Sequence, residues 1–396
     1  MNKAFKFRIY PNNEQKILIG KTFGCVRFVY NKMLADRIEH YENTHDTLRN
    51  RPAQYKEEFP WLKEVDSLAL SNAQLNLDRA YSNFFRDKSI GFPNFKSRKS
   101  NHQSYTTNLV NGNIELKNGY IKLPKLKEVK IKQHRDIPED YRLKSVTVSR
   151  TPTGKYYAGL LYEYDYHIES VVPETFLGLD YSMKELFIAS DGTSAKYPQY
   201  YRQTQERLKK EQRKLSNCKK GSNNRNKQRI RVAKLHEKAA EQRRDFLHKL
   251  SRQTANAVDA VCIEDLNMKN MSKTLKFGKS VHDNGFGKFV SMLEYKLKDQ
   301  GKELVRVGKW FPSSKMCSNC GSMRESLSLG ERVYHCENCG IILDRDLNAS
   351  YNIREEGKRL LLQKQKHRTV GHTGSGRKQV CCSTKQPGIA RLCCSQ

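Results

Sequence analysis

The chain has 396 residues, too many for one typical domain, and 37% of them are apolar, which excludes global disorder. It carries 73 Lys and Arg against 42 Asp and Glu, a formal net charge of +31. So large an excess attracts polyanions through counterion release. We therefore expect nucleic acid as the partner and no small-molecule substrate.

The sequence predicts neither a membrane span nor a secretion signal. No stretch approaches the roughly 18 consecutive apolar residues of a membrane helix, and the opening MNKAFKFRIY lacks the apolar core of a signal peptide. We therefore expect a cytoplasmic protein that contacts no membrane. In that reducing compartment, eleven cysteines indicate metal binding before disulfides.

The N-terminal hundred residues are predicted to form one strand followed by helices. Residues Lys3 to Tyr10 alternate apolar and basic side chains, the pattern of a half-buried strand. Apolar residues then recur at spacings of three and four from Ile17 to Met33, and a second helix is predicted from about Ser67 to Arg86. A loop is predicted between these two helices.

From about Tyr105 to Tyr166 the hydrophobic period changes to two. Short alternating segments are separated by the turn signals Asn111-Gly112, Asn118-Gly119 and Thr153-Gly154. This pattern predicts a small antiparallel barrel or sandwich, to which the N-terminal strand is a candidate member.

The stretch GFPNFKSRKSNHQSY mixes aromatic and cationic residues. Its residues Phe92, Phe95 and Tyr105 suit base stacking with nucleic acid. Packing in a core explains the same residues equally well, so both interpretations stay open.

A new unit is predicted to begin near Phe176, with an antiparallel hairpin that turns at Asp191-Gly192. Between Arg202 and Lys249, seventeen Lys or Arg stand against five acids, and a break at residues 219–222 divides the stretch. We interpret it as a helical hairpin with a thin apolar seam. Because a solvated face normally mixes both signs of charge, this excess predicts a surface that contacts phosphates.

The same unit is predicted to contain strands at 260–263 and 303–307, a helix at 286–297 and a final helix from Asn348 to about Gln363. The last thirty residues contain two cysteine pairs, Cys381-Cys382 and Cys393-Cys394, but show no period. We expect this tail to be disordered.

Four cysteines have the spacing of a zinc ribbon. Cys317-x-x-Cys320 and Cys336-x-x-Cys339 are separated by fifteen residues, and a glycine follows each pair. Two such turns bring four thiolates to a tetrahedron around Zn²⁺. Because four sulfur ligands leave no open position, the zinc is expected to be structural and not catalytic.

Three carboxylates, Asp180, Glu264 and Asp346, are candidates for a catalytic metal site. Asp180 and Glu264 end the apolar runs LGLD and VCIE, and Asp346 stands where the last helix begins. Asp344 competes for the third place, or assists, or caps the helix. Acids in the order Asp, Glu, Asp across a hairpin, a later strand and a helix start are typical of an RNase H-like site. Three converging carboxylates can hold two divalent cations, the arrangement that hydrolyses phosphodiesters.

Several segments together resemble the TnpB family, also called OrfB, of nucleases encoded by insertion sequences, which is similar to type V CRISPR effectors. The segments are FKFRIYPNNEQ, FGCVRFVYNKML, GLDYS, CIEDLNMKNM and the block WFPSSKMCSNCG…YHCENCG…DRDLNASYNI. The resemblance covers most of the chain. Its last block is highly specific, because it places a zinc ribbon inside a nuclease and ends on the third acid.

The resemblance implies an α/β multi-domain fold: a split RuvC (RNase H-like) nuclease with an inserted zinc ribbon, an N-terminal wedge β-barrel and a helical recognition domain. The expected bounds are 1–10 and 101–170 for the barrel, 11–100 for the recognition region, 171–316 and 341–365 for the nuclease with its basic hairpin at 201–250, 317–340 for the ribbon and 366–396 for the tail.

The resemblance also implies an RNA-guided, Mg²⁺-dependent DNA endonuclease. It would bind a guide RNA and target double-stranded DNA, and it would cut beside a short transposon-adjacent motif. Asp180, Glu264 and Asp346 would bind two Mg²⁺ ions, with Asp180 bridging them, and the four cysteines would bind Zn²⁺. Guide pairing would read the sequence while cationic surfaces hold the heteroduplex by its backbone.

Two other interpretations stay open. A DDE-type transposase would join DNA ends on the same RNase H-like scaffold without a guide. A zinc-ribbon regulator would bind nucleic acid and act by occupancy, without catalysis. The ribbon between the second and third acids and the cationic excess favour the guided nuclease over the transposase. The presence of all three acids argues against the regulator.

Overall fold

The computed structural model describes residues 1–99, 103–165, 168–268, 270–271, 278–328 and 330–370. The chain divides into two units, one made of Met1–His167 and Tyr201–Glu241 and the other of Ile168–Tyr200 and Gln242–Gln396. The predicted tail falls mostly outside the described residues, except that its first residues continue the last helix to Val370.

The helices are α1 (Asn13–Thr44), α2 (Tyr55–Glu58), α3 (Ser67–Arg86), α4 (Tyr200–Asn217), α5 (Asn223–Ala257), α6 (Gly278–Asn284), α7 (Phe286–Lys298) and α8 (Arg345–Val370), with 3₁₀ turns at Pro60–Glu64 and Lys88–Ile90. The strands are β1 (Asn2–Tyr10), β2 (Gln103–Asn108), β3 (Glu115–Lys117), β4 (Tyr120–Leu123), β5 (Lys127–Lys132), β6 (Arg142–Arg150), β7 (Tyr156–Glu163), β8 (Phe176–Ser182), β9 (Leu186–Ala189), β10 (Ala260–Glu264), β11 (Glu303–Val307), β12 (Val333–His335) and β13 (Ile342–Asp344).

The first unit is built on a seven-stranded sheet in the order β2-β6-β7-β1-β5-β4-β3. The N-terminal strand β1 lies inside this sheet, paired antiparallel with β7 and β5. Among the described residues the two end strands, β2 and β3, do not pair with each other, so the sheet is an open half-barrel. The period-two pattern predicts a barrel or a sandwich without deciding between them.

The predicted barrel and recognition regions share one hydrophobic core in this unit. Alternate side chains of β1, namely Phe5, Phe7 and Ile9, are buried in it. The apolar stripes of α1 and α3 enter the same core, where Met33 and Leu77 are fully buried. Burying one face of each helix against the sheet is what stabilises both.

The predicted basic hairpin is present as α4 and α5, with its turn at residues 218–222. Residues 201–241 of the hairpin group with the first unit, and the rest of α5 groups with the second. The assignment of the whole hairpin to the nuclease stays a prediction. The seam is thin: Leu208 of α4 and Val232 and Ala239 of α5 are buried. A polar cross-link completes it, since the Gln228 amide donates to the carbonyl oxygen of Glu211 at 3.0 Å.

The second unit is built on a four-stranded sheet in the order β11-β10-β8-β9. Strands β8, β10 and β11 are parallel, and β9 returns antiparallel to β8 as the sequence predicted. Alternate residues face opposite sides: Leu179 and Ile263 pack with Phe289 of α7, while Cys262 packs with Ile353 of α8. Helices therefore cover both faces of this sheet.

Two glycines let α8 lie directly on β8 and β10. A Cβ at Gly178 would lie 2.8 Å from the backbone nitrogen of Arg354 and closer still to the carbonyl oxygen of Ser350. A Cβ at Gly357 would lie 2.6 Å from that of Cys262. Any larger residue at either position would push the helix off the sheet.

No helix in the described ranges combines the length and the apolar character that crossing a bilayer requires.

Candidate metal sites and nucleic-acid surfaces

Asp180 and Glu264 lie at the carboxyl ends of adjacent parallel strands. Leu179 of β8 pairs with Ile263 of β10, so the next residues along the two strands are Asp180 and Glu264. Side chains alternate along a strand, and both acids share the face of Gly178 that α8 covers. Both residues are half-buried.

Asp346 reaches the same place from the first turn of α8. It precedes Ser350, which lies over Gly178, by one helical turn. Asp344 caps this helix, because its Oδ1 accepts hydrogen bonds from the backbone N–H groups of Asp346 (2.9 Å) and Leu347 (3.0 Å). The cap starts α8 at Arg345, three residues before the predicted start.

The charge of Asp180 interacts with the charges of the other two candidate acids. Burial, and then the neighbouring Glu264 and Asp346, raise the pKa of Asp180 well above its usual value. Burial also raises the pKa of Glu264, and the Ser313 hydroxyl opposes that rise. Asp180 therefore lies within electrostatic reach of both other acids, and a cation bound beside it would relieve that repulsion.

Oxygen donors of this kind fit a hard divalent cation such as Mg²⁺. Basic groups lie beside the carboxylates without neutralising them fully. Arg332 is 3.8 Å from Asp346, and its side chain is 70% exposed. Arg345 also lowers the pKa values of Asp180 and Asp346, though by less than burial raises them.

The four predicted zinc cysteines also come together. One sulfur from each of Cys317, Cys320, Cys336 and Cys339 lies within 4.8 Å of the others. The Cys317–Cys339 and Cys320–Cys336 sulfur pairs are 3.7 and 3.6 Å apart. A tetrahedral Zn²⁺ with bonds of about 2.3 Å requires sulfurs about 3.8 Å apart, so this donor set fits zinc.

Neighbouring groups prepare some of these thiols for metal binding. The Ser322 hydroxyl and backbone N–H lower the pKa of Cys320 to about 5, which favours the thiolate that binds metals. The Ser322 hydroxyl also lowers the pKa of Cys336, whereas burial raises that of Cys317 to about 11.

The cysteine cluster is joined directly to the acidic site. Strands β12 and β13 pair antiparallel, and His335, next to Cys336, pairs with Ile342. Strand β13 ends at Asp344, the residue that caps α8. The ribbon therefore leads without a linker into the helical turn that carries Asp346.

Sequence reasoning missed three polar residues that support both sites. The Ser313 hydroxyl donates to Oε1 of Glu264. Asn348 and Asn352 of α8 are buried, and both donate to the carbonyl oxygen of Met316. The residues occur inside the motif blocks, but nothing in their spacing indicated these contacts.

The predicted phosphate-contacting surface is solvent-exposed. Four lysines of the hairpin are exposed and have no acidic partner in the described part of the chain: Lys210 of α4, Lys220 of the turn, and Lys227 and Lys234 of α5. A few cations do pair along the helix, as Lys209 does with Glu206 at 2.9 Å. The remaining charge is available to a polyanion.

The aromatic residues of the first unit divide between the two interpretations. Tyr105 is a core residue, with its ring 5.9 Å from that of Phe23. Phe92 and Phe95 are 45% and 57% exposed. Core packing therefore explains Tyr105. The exposed rings of Phe92 and Phe95 leave base stacking open as the interpretation of those two residues.

Three family models match the chain. One described as "Probable transposase", of the OrfB type found in IS605 elements, matches residues 160–275. One described as "Cas12f1-like, TNB domain" matches 286–353, and one described as "Helix-turn-helix domain" matches 1–46. In the last region the structure has a strand and a single long helix, β1 and α1.

Relatives that match along most of this chain show which family it belongs to. A Streptomyces pristinaespiralis protein named "Putative RNA-guided DNA endonuclease" is 37% identical over 367 residues, 90% of each chain. The chain belongs to the TnpB/OrfB family. Another member, "Putative RNA-guided DNA endonuclease InsQ" of Escherichia coli K12, is 30% identical over 91% of this chain and 93% of its own.

One solved structure shares the fold of this chain. The protein chain of a structure titled "Cryo-EM structure of the Cas12f1-sgRNA-target DNA complex" superposes with a TM-score of 0.58 at 14% identity. The match covers 89% of this chain and 98% of that one. At this identity the likeness shows a common fold of the TnpB/OrfB and Cas12f1 chains.

Proposed function

We propose that this protein is an RNA-guided DNA endonuclease of an insertion sequence, and that it acts in the bacterial cytoplasm. The observation that carries the proposal is the 37% identity, over 90% of each chain, to a relative named for that activity. Guide RNA and target double-stranded DNA would be its partners. The net charge of +31 and the exposed lysines of α4 and α5 suit a protein that holds nucleic acid by its backbone.

The proposed cleavage site is the split RuvC-like sheet of the second unit, with Asp180, Glu264 and Asp346 as ligands for two Mg²⁺ ions. Asp180 would be the central ligand of this set, because both other acids act on its carboxyl group. Bound metal would activate water and stabilise the leaving oxygen of the phosphodiester. The contribution of the chain is to hold three carboxylates on rigid elements at one edge of the sheet.

The proposed zinc is structural. Cys317, Cys320, Cys336 and Cys339 would hold it, and their four sulfurs leave no position for a reacting water. Its role would be to fix the ribbon, and with it the start of α8.

The proposal is tested by expressing the chain together with the RNA from its own element and sequencing the RNA that co-purifies. A single defined RNA is expected, and altering its guide segment should redirect DNA cleavage. Asp180→Ala should reduce cleavage by about a thousandfold or more, equal to about 4 kcal/mol of transition-state stabilisation, with RNA binding retained. Asp265→Ala, which removes an exposed acid next to Glu264, should leave cleavage unchanged.

The two rival activities give different results in the same experiment. Strand joining of DNA ends without RNA would favour a transposase, the word in the matching family description. Tight nucleic-acid binding with no cleavage by the unaltered chain would favour a regulator. Cleavage that persists in a clean preparation of Asp180→Ala would refute the site assignment.

A further inference from the structure

Glu264 has a hydrogen-bond partner that no sequence motif indicated. The Ser313 hydroxyl donates to Oε1 of Glu264, and Ser313 is only 6% exposed. A hydroxyl has a single proton, so this contact commits the donor capacity of Ser313 to the carboxylate. Hydrogen bonds to an ionised acceptor are short and directional, so this contact fixes the rotation of the carboxylate and directs its other oxygen.

Ser313 is itself held by α8. Its carbonyl oxygen accepts a hydrogen bond from the Asn352 side chain at 2.7 Å. The same amide donates to the carbonyl oxygen of Met316 at 2.7 Å, so both of its N–H donors are used. Asn352 is 3% exposed, and a buried amide of this kind is costly to leave unpaired.

One turn earlier, Asn348 holds the other end of the same segment. Its side-chain nitrogen donates to the carbonyl oxygen of Met316 at 2.8 Å, and its Oδ1 accepts from the backbone N–H of Ser318 at 2.9 Å. Cys317 lies between these two attachment points. The segment from Ser313 to Ser318 is thereby clamped to the helix that carries Asp346 in its first turn.

We propose that Ser313 is a positioning residue for Glu264, and that the Asn348–Asn352 clamp and the first cysteine pair of the ribbon keep it in place. The inference rests on the proposed function, because it takes Glu264 as a metal ligand. It makes α8 the common support of the site: the helix presents Asp346 directly and orients Glu264 through Ser313. It also explains why a structural ribbon is inserted between the second and third acids.

The test compares three single variants of the full chain with its RNA. Ser313→Ala removes the hydroxyl, and Ser313→Thr keeps it. Ser314→Ala is the matched control, because Ser314 is adjacent and half-buried, and its hydroxyl has no hydrogen-bond partner among the described residues. Thermal unfolding of all three should show that each variant is folded at the assay temperature, so that affinity is compared between folded proteins.

The main readout is metal affinity without turnover. Fe²⁺ bound in place of Mg²⁺, with ascorbate and peroxide, cuts the polypeptide next to its site, and the Mg²⁺ concentration that suppresses cutting near residues 180, 264 and 346 reports affinity. Groups that orient a ligand are typically worth 10–100-fold in metal affinity, so Ser313→Ala should raise that concentration about tenfold or more. Ser313→Thr should restore it, and Ser314→Ala should not change it.

A second variant tests the clamp. Asn352→Ala should weaken Mg²⁺ affinity in the same assay while elemental analysis still finds zinc bound. If Ser313→Ala and Asn352→Ala both bind Mg²⁺ as the unaltered chain does, Ser313 does not position Glu264.

Failure of the proposed function would be recognised separately. In that case Asp180→Ala would leave the iron-dependent cutting near the three acids unchanged, and the unaltered chain would not cleave guided DNA. That result would overturn the site and the positioning role together. If the unaltered chain cleaves guided DNA but Ser313→Ala leaves the Mg²⁺ affinity unchanged, only the positioning role would be overturned.

Discussion

At the residue scale, the Ser313 hydroxyl holds Glu264, and Asp344 caps the helix that carries Asp346. Asp180 and Glu264 each end an apolar run, a signal that is visible in the sequence. The Ser313–Glu264 hydrogen bond joins residues 49 apart and depends on how β11, the ribbon and α8 pack. The role of Asp344 was open for a similar reason, since capping depends on the backbone direction where β13 meets α8.

The close approach of α8 to β8 leads to a prediction at the same scale. Gly178→Ala should destabilise the protein by about 3 kcal/mol, since its methyl group would overlap the backbone of α8 at Ser350 and Arg354. It should also impair cleavage, because α8 carries Asp346. The measurement is the urea midpoint of the RNA-free chain, together with guided cleavage.

Gly20→Ala is the control for that prediction. Gly20 lies in α1, and apart from the neighbouring backbone of that helix no atom of the described residues lies within 4 Å of an added Cβ there. In a helix this exchange should be neutral or should stabilise the protein by up to about 1 kcal/mol. Equal urea midpoints for Gly178→Ala and the unaltered chain would show that α8 can move away without cost.

At the element scale, the strongly periodic segments were predicted best. The predicted bounds of α3 and β11 agree with the structure. Helix α3 has a clear start because the Asp66 side chain accepts a hydrogen bond from the Leu68 N–H at 2.9 Å. The choice between a barrel and a sandwich stayed open, because period-two patterning predicts strands but contains no information on whether the two edge strands meet; the structure has a half-barrel.

The prediction at the element scale concerns zinc binding by the cysteine ribbon. The purified chain should hold one zinc ion per molecule, and Cys320→Ala should lose it. Structural zinc contributes about 10–16 kcal/mol to folding of small metal-dependent units, so hydrogen exchange across residues 317–344 should rise sharply in that variant. Elemental analysis after dialysis against a chelator measures the metal content.

Cys218→Ala is the matched control, since Cys218 lies in the turn between α4 and α5 and outside the cluster. It should keep the zinc and the exchange protection of the ribbon. A full equivalent of zinc retained by Cys320→Ala would contradict the ligand set.

At the scale of the whole molecule, the excess of positive charge was the most general feature of the sequence. It predicted a polyanionic partner before any element was assigned, because counterion release depends on charge and not on fold. It could not predict which surface holds that partner. The structure reduces the number of candidate surfaces, because it shows which cations already pair with an acid. Lys209 has such a partner, and Lys210 has none among the described residues.

The salt dependence of RNA binding distinguishes these surfaces. The test variant replaces four lysines by Gln: Lys210, Lys220, Lys227 and Lys234. The slope of log Kd against log salt concentration should fall by up to about three, since each phosphate contact to single-stranded RNA contributes about 0.7 to that slope. The control removes the same charge from exposed lysines outside the hairpin: Lys63, Lys125, Lys288 and Lys298. Long-range attraction falls equally in the two variants, so a larger change in the first set assigns direct phosphate contacts to α4 and α5. Equal slopes would mean that the hairpin attracts RNA only through the net charge of the protein.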